Sequence, residues 1–369
     1  MQPVKKLEII DYRVKMSKVI SVGTADIPYT YSQEDAKEFA TAFFTSRNKD
    51  IERMIGVFDN ALIDKRHFCF PREWYSKPHS FVERSGNFRE ICRRLSHDAL
   101  IKCLKNANAD KDDIDHIIFV SSTGPSAPTI DAYLINDLKL DPHIKRTPIW
   151  GLGCAGGASG LSRAMDFTKT HPESAVLVIA VEICSLAFQL DDYSKSNIVA
   201  IALFSDGAAC CLVAGDKHRL AGTSGIELKD SFTTTYYESI DVMGWEIVET
   251  GFRAIFSKDI PSIVRNRIRE DIDEFLSKNR TKTSELEHFV IHPGGTKVII
   301  EFEKCLGLDE GSFVYPRKVL REHGNMSSAT VLYVMDEFLM DNNYKNGEKG
   351  LISAMGPGFS SEFLLFEIQ

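Results

Sequence analysis

Six short apolar runs punctuate the chain: His116–Val120, Ala175–Val181, Ala208–Ala214, Phe289–His292, Leu351–Ala354 and Phe363–Phe366. Each is shorter than an ordinary helix and none alternates with polar positions. That pattern predicts strands covered on both faces. Longer stretches with helical spacing lie between them, so the alternation predicts an α/β fold with buried sheets. No linker or low-complexity segment divides the sequence.

The order of elements repeats. In the first half, Trp150 is followed by GLGCAGGASGLSRAMDF, a polar turn at Lys169–Ser174, the Ala175 strand, and another strand after Ser205–Gly207. In the second half, GNMSSATVLYVMDEF is followed by a polar turn at Asn342–Lys349, the Leu351 strand, a Gly-Pro-Gly turn and a final strand. Each half reads as a helix opening with very small residues, then strand, tight turn and strand. A helix that opens with Gly, Ala and Ser can lie close to neighbouring backbones, which suits the middle of a layered structure. Coincidence is the alternative, because βα alternation is common. The repeat divides the chain into residues 1–220 and 221–369.

The chain has 369 residues, enough for two core-forming units, with 43% hydrophobic and 26% charged residues. Its net charge of −8 argues against a nucleic-acid or anionic-membrane surface. No apolar run approaches a membrane span and none at the N-terminus has signal-peptide character. The eight cysteines show no CxxC spacing. Reduced thiols in the cytoplasm are therefore expected, with no metal site.

Three residues stand out for chemistry. Cys154 lies in Gly151-Leu-Gly-Cys-Ala-Gly-Gly, ahead of a helix read over Ser159–Thr168. A thiol at a helix N-terminus faces free N–H groups and the positive end of the dipole, which favour thiolate. A buried structural cysteine is the alternative, and it fits Cys210 and Cys211 well. His292 ends an apolar strand before Pro293-Gly294-Gly295, a turn that aims the imidazole into a cleft. Asn325 lies in His323-Gly-Asn-Met-Ser-Ser, where a helix cap is the alternative. Together, one Cys, one His and one Asn at glycine-bracketed element ends suggest nucleophilic catalysis. A cysteine hydrolase and a carbon–carbon condensing enzyme both fit that set.

Five segments narrow the choice: GLGCAGGASGLSRA, ALFSDGAA (Ala202–Ala209), IHPGGTKV (Ile291–Val298), HGNMSSATVLYV (His323–Val334) and MGPGFSSE (Met355–Glu362). Their content and order resemble the type III polyketide synthases, the chalcone synthase-like family, from about Ser17 to the C-terminus. The resemblance implies a thiolase fold: two duplicated α/β halves in a five-layered αβαβα arrangement, usually as a homodimer. It implies Cys154 as the acyl-carrying nucleophile in the first half. It implies His292 and Asn325, in the second, as the pair that binds a thioester carbonyl. It also implies Phe204 as the gatekeeper beside the decarboxylating carboxylate, and Gly356, Pro357 and Gly358 as a loop shaping the cyclisation cavity. Acyl-CoA and malonyl-CoA are then substrates, and no cofactor or metal is called for. Arg53 and Lys297 are candidates to meet coenzyme A phosphates, with a solvated surface role as the alternative.

Departures from the plant pattern bear on the cavity. Ala254 stands where plant enzymes carry a second gatekeeper Phe. Cys184, Ala187 and Ser122 stand for cavity threonines, Ala127 for a dimer-crossing residue, and Trp245 for a small one. The segments TIDAYLIN and MGWEIVETGFR resemble the bacterial and fungal branch that makes alkylpyrones and alkylresorcinols. The resemblance therefore implies repeated condensation of malonyl-CoA onto a medium- or long-chain acyl starter, then cyclisation. The rivals are a ketoacyl-carrier-protein synthase of the third type, which stops after one condensation, and an acyl-CoA thioesterase or cysteine hydrolase.

Overall fold

The computed structural model describes residues 16–45, 54–222, 225–257 and 260–369. The first part runs Ser17–Thr24 (β1), Tyr29–Ser32 (β2), Gln33–Ala40 (α1), Gly56–Asp59 (α2), Lys65–Phe68 (β3), Phe81–Ala107 (α3), Ile114–Val120 (β4), Ile130–Leu138 (α4), Lys145–Ile149 (β5), Gly156–Thr170 (α5), Ala175–Ile183 (β6), Lys195–Leu203 (α6) and Asp206–Gly215 (β7). The second runs Ile226–Thr235 (β8), Met243–Val248 (β9), Gly251–Phe256 (β10), Ile260–Ile263 (α7), Arg269–Lys278 (α8), Leu286–Ile291 (β11), Thr296–Leu306 (α9), Val314–His323 (α10), Thr330–Asp341 (α11), Lys349–Gly356 (β12) and Ser360–Ile368 (β13).

Nine strands form one continuous sheet in the order β11-β12-β13-β8-β1-β7-β6-β4-β5. Its two wings have the same build. β4 and β6 are parallel, β7 is antiparallel to β6, and β1 is antiparallel to β7. β11 and β12 are parallel, β13 is antiparallel to β12, and β8 is antiparallel to β13. Within the sheet, among the described residues, the wings join through Ser17–Val19 paired with Ile226–Leu228. The repeat in the sequence is thus a repeat of strand order and sense.

Side-chain alternation places the layers. On β6, Val176, Val178 and Ala180 share a core with residues of α5 and α11, whereas Leu177, Ile179 and Val181 share another with α3. On β13, Leu364 and Phe366 join the central core, and Phe363 and Leu365 join one with Phe275 of α8 and Phe302 of α9. The apolar run in each of these strands points to both faces because each face meets a helix layer. The resulting stack is α3 and α4, one wing, α5 and α11, the other wing, then α8 and α9. Pattern reading missed β1, β5 and β8, whose sequences mix charge with apolar residues. The helix expected over Ser159–Thr168 starts earlier, at Gly156, and ends at Thr170.

The β9–β10 hairpin is a separate two-stranded sheet. It packs on α6 and on the short turn Cys184–Ala187 that follows β6.

Candidate active site

Cys154 lies in a single 3₁₀ turn, Gly153–Ala155, that leads directly into α5. Two features force small residues there. Gly153 has φ +46°, and a Cβ on it would sit 2.7 Å from Cδ of Pro357. A Cβ on Gly157 would sit 2.2 Å from the carbonyl oxygen of Ser328, at the entrance to α11. The turn is pinned from below by Ser122, whose Oγ accepts the N–H groups of Gly151 and Gly153 at 3.2 and 3.1 Å. Ser122, expected in the cavity wall, braces the turn that carries Cys154. Gly356, Pro357 and Gly358 form the β12–β13 turn, and Pro357 packs on Gly153.

Asn325 arrives from the other wing. Its N–H donates to the carbonyl of Leu203 at 2.9 Å, and its own carbonyl accepts the Ser205 N–H at 2.8 Å. That backbone bridge places Asn325 beside Phe204, at the end of α6. The side-chain amide is fixed as well. Its Oδ1 accepts the Ser327 N–H at 2.8 Å and its Nδ2 donates to the Gly294 carbonyl at 3.1 Å, leaving one amide hydrogen for another partner. The Cys154 Sγ lies 4.0 Å from Asn325 Oδ1 and 3.7 Å from Ser327 Oγ.

His292 follows β11 and donates its backbone N–H to Ser353 of β12 at 2.8 Å. Its ring lies over Gly294, with Nε2 3.7 Å from the position of a Cβ there. Through Gly294 it adjoins Asn325. The imidazole is buried, yet neither ring nitrogen has a hydrogen-bond partner among the described residues. Buried polar atoms without partners are uncommon and mark a place built for something else.

Electrostatics corrects one expectation. Burial pushes the Cys154 thiol up to about 12, with the contacts to Ser327 and Asn325 opposing and Glu182 reinforcing it. Burial alone takes His292 down to about 3. Desolvation thus favours the neutral thiol and the neutral imidazole, against the pull of the helix dipole. This direction is opposite to the acidic thiol expected from the helix end.

Glu182 escaped the sequence reading. It is a fully buried carboxylate on β6 that accepts from the Ser122 N–H at 3.0 Å, Thr123 Oγ1 at 2.8 Å and Ser328 Oγ at 2.6 Å. Burial raises its pKa, and those donors oppose the rise. It ties the brace under Cys154 to the entrance of α11. Its only sequence signal is an acid inside an otherwise apolar run.

The wall around Phe204 is apolar. Cys184, Ala200, Phe204 and Ala254 form a small buried cluster, with Phe188, Trp245 and Phe256 packed against it. Ala254 pairs directly across the hairpin with Trp245. The Phe204 ring lies 5.9 Å from Trp245 and 5.5 Å from Phe256, so aromatic rings crowd the side of Phe204. Ala187 is buried in the same turn as Cys184 but outside that cluster. Lys297 stands exposed at the start of α9. Arg53 lies outside the described residues. Among the described residues, no group of His, Cys, Asp or Glu is placed to hold a metal ion. None of their helices is long and apolar enough to cross a membrane.

Comparison with known proteins agrees with this geometry. The model of the chalcone and stilbene synthase N-terminal domain matches residues 15–217, and that of the C-terminal domain matches residues 227–368. A protein of Bacillus subtilis (strain 168) named after chalcone synthase is 43% identical over 359 residues, covering 95% of this chain and 98% of its own. A 1,3,6,8-tetrahydroxynaphthalene synthase of Streptomyces peucetius subsp. caesius is 32% identical over 349 residues, covering 95% and 92%. The solved 1,3,6,8-tetrahydroxynaphthalene synthase of Streptomyces coelicolor A3(2), a bacterial type III polyketide synthase, superposes with a TM-score of 0.90 at 26% identity, covering 95% of this chain and 99% of that one. The fold is thus the thiolase fold, and the chemistry is acyl transfer with decarboxylative Claisen condensation. The chain belongs to the chalcone and stilbene synthase family and is a type III polyketide synthase.

Proposed function

We propose that Cys154 carries the growing acyl chain and that His292 and Asn325 bind the thioester carbonyl of malonyl-CoA. The observation that carries this reading is the pair of unpartnered nitrogens on the buried His292, beside an anchored amide with one hydrogen to give. In the loading step Sγ attacks the acyl-CoA carbonyl, its proton passes to His292, and coenzyme A leaves as the thiol. In the extension step the malonyl C–C bond breaks and CO₂ leaves. The electron pair becomes an enolate whose oxygen is held by the His292 and Asn325 donors. That enolate attacks the Cys154 thioester and the thiolate departs. Phe204 closes the cavity beside the carboxylate being lost, and the Gly356–Gly358 turn bounds the space in which the chain cyclises. Lys297 meets a coenzyme A phosphate.

The starter is a medium- or long-chain acyl-CoA and the product an alkylpyrone or alkylresorcinol. Cys184, Ala187 and Ala254 present no hydroxyl to a phenolic starter, and each methylene buried along such a wall contributes roughly 0.8 kcal/mol. A second reading has its own support: Trp245 and Phe256 fill the space beside Phe204. A site closed in this way suits small starters and a compact hydroxylated ring, the product type for which several relatives are named. Mass spectrometry of products from a panel of acyl-CoA starters with malonyl-CoA separates the two. Preference for decanoyl-CoA or longer supports the first. Turnover of malonyl-CoA alone, with long starters accepted only by Trp245→Ala, supports the second. Single condensations, or hydrolysis without carbon–carbon bond formation, would overturn both.

The working form is a homodimer. Val82 and Trp150 are 83% and 55% exposed at the rim of a groove with Phe81, Ala127 and Pro148, an apolar face suited to a second copy. Sedimentation should report a dimer that Trp150→Glu weakens. Eight free cysteines suit a reducing, cytoplasmic setting.

A further inference from the structure

Gln189 lies just beyond the turn Cys184–Ala187 and is buried, and its backbone and side-chain polar atoms all have partners. Its backbone N–H donates to Asn197 Oδ1 at 3.3 Å, and its backbone carbonyl accepts from Asn197 Nδ2 at 2.7 Å. Asn197 is a buried residue in the first turn of α6, the helix that ends directly before Phe204. The side-chain amide of Gln189 holds the β9–β10 hairpin. Nε2 donates to the Phe252 carbonyl at 2.8 Å, and Oε1 accepts from the Thr250 hydroxyl at 2.7 Å. A carbonyl can only accept, so the Phe252 contact fixes which end of the amide is the donor.

The hairpin has little else of this kind. Among the described residues, its other hydrogen bond to the body of the molecule runs from Ser196 Oγ to the Phe256 carbonyl at 3.5 Å, the limit for such contacts. Arg253 stands 3.9 Å from Asp192, half-exposed, and an ion pair of that kind contributes little. The grip of Gln189 falls where the chamber wall is set. The Phe252 ring lies 6.2 Å from Trp245, which pairs with Ala254 and lies 5.9 Å from Phe204. One amide therefore links the helix that ends at Phe204 to the hairpin that bears Trp245 and Ala254.

We propose that Gln189 is a positioning residue that sets starter selection by holding the β9–β10 hairpin to α6, and with it the spacing between Trp245 and Phe204. The inference rests on the reading that Trp245 and Ala254 bound the starter chamber. Without the amide, the Phe252 carbonyl is left without a donor in a buried setting, a state that favours movement of the backbone toward another partner. The hairpin forms a sheet of its own, so it is the element that yields.

The test is malonyl-CoA in the presence of decanoyl-CoA, read by mass spectrometry as the ratio of decanoyl-primed products to products of malonyl-CoA alone. A ratio cancels the fraction of folded enzyme, so loss of stability by itself does not move it. Gln189→Leu removes both side-chain hydrogen bonds and should raise the decanoyl share by about tenfold, the effect of a methylene's worth of room in a pocket. Gln189→Glu supplies a second readout. Ionised, it sets a carboxylate oxygen against the Phe252 carbonyl and should raise the ratio as well. Protonated, it has one donor and one acceptor in place of the amide's pair, and should bring the ratio back to the wild-type value as the pH falls from about 8 to about 5.5. The charged groups nearby are Arg84 beside Gly251, Arg253 and Asp192, and Asp35, Arg66 and Arg72 around the cavity that Gln189 also lines. All are common to both chains, and the wild type is the reference at each pH. Trp245→Ala separates this inference from the reading beneath it. If Trp245→Ala leaves the ratio unchanged, the hairpin does not bound the chamber and both fall. If Trp245→Ala moves the ratio while Gln189→Leu and Gln189→Glu stay at the wild-type value, the chamber stands and the positioning role is overturned. A shift in Gln189→Glu that is the same at both pH values would also overturn it, because the hydrogen bond to Phe252 would then not be what holds the hairpin.

Discussion

The two helices of the middle layer hold equivalent places in the two wings, yet their entrances are built by opposite means. α5 begins on glycine, and the backbone of Ser328 comes so close to Gly157 that no side chain fits between them. α11 is entered through the turn Ser327–Ala329, where Ser327 and Ser328 turn their hydroxyls to Cys154 and Glu182. The helix start at the first entrance is locked by packing, with Ser122 holding the turn ahead of it, and the second entrance is locked by hydrogen bonds. Packing leaves the thiol a fixed position and a dry environment. Hydrogen bonding leaves Asn325 a fixed amide with a spare donor.

Substitutions at each entrance test that contrast. Cys154→Ala should abolish condensation, while malonyl-CoA is still decarboxylated to acetyl-CoA, both read by mass spectrometry of the acyl products. Loss of decarboxylation as well would place the carbonyl-binding function on the first entrance too. Asn325→Ala removes one preorganised donor and should slow decarboxylation by about 10²–10³-fold, with Cys154 still acylated by a starter in single turnover. A variant that extends chains at the normal rate would reduce Asn325 to a backbone anchor.

Gly157→Ala puts a methyl group against a backbone carbonyl that has nowhere to move. Its cost should reach the upper end of the roughly 1–3 kcal/mol typical of overpacked cores, measured by urea unfolding. Ser328→Ala leaves Glu182 short of a donor and should cost about 1–3 kcal/mol in the same assay. If Gly157→Ala were the milder of the two, the contrast between packing and hydrogen bonding would be reversed. The gentlest effect is on pH. With the thiol pushed up to about 12, the thiolate fraction, and so the iodoacetamide rate at Cys154, should rise about tenfold per pH unit between 7 and 10. A rate already level at pH 7 would mean that the thiolate–imidazolium pair exists before substrate arrives.

The strands buried on both faces were legible because nothing polar interrupts them. β8, with the sequence IELKDSFTTT, was not, since half its length leaves the core. Cys154, His292 and Asn325 were legible as candidates because each sits where glycine marks a sharp turn. Their convergence was not, since the backbone bridge between Phe204 and Asn325 joins segments far apart in the chain. Glu182 was hidden for the same reason: its donors stand 59 to 146 residues away. The neutral state of the thiol was also out of reach, because sequence shows a helix end but not how dry that end is.

The β9–β10 ribbon has a further consequence. Among the described residues it shares no backbone ladder with the nine-stranded sheet, yet it supplies Trp245 and Ala254 to the apolar cluster around Phe204. The residues proposed for the chemistry are fastened to helix entrances and strand ends of the two wings. Two of the residues proposed to line the chamber, Trp245 and Ala254, hang from an appendage. Such a division of labour lets descent with modification redraw the chamber without disturbing the reaction. Within one scaffold, a change of product can then begin with a single exchange on the ribbon.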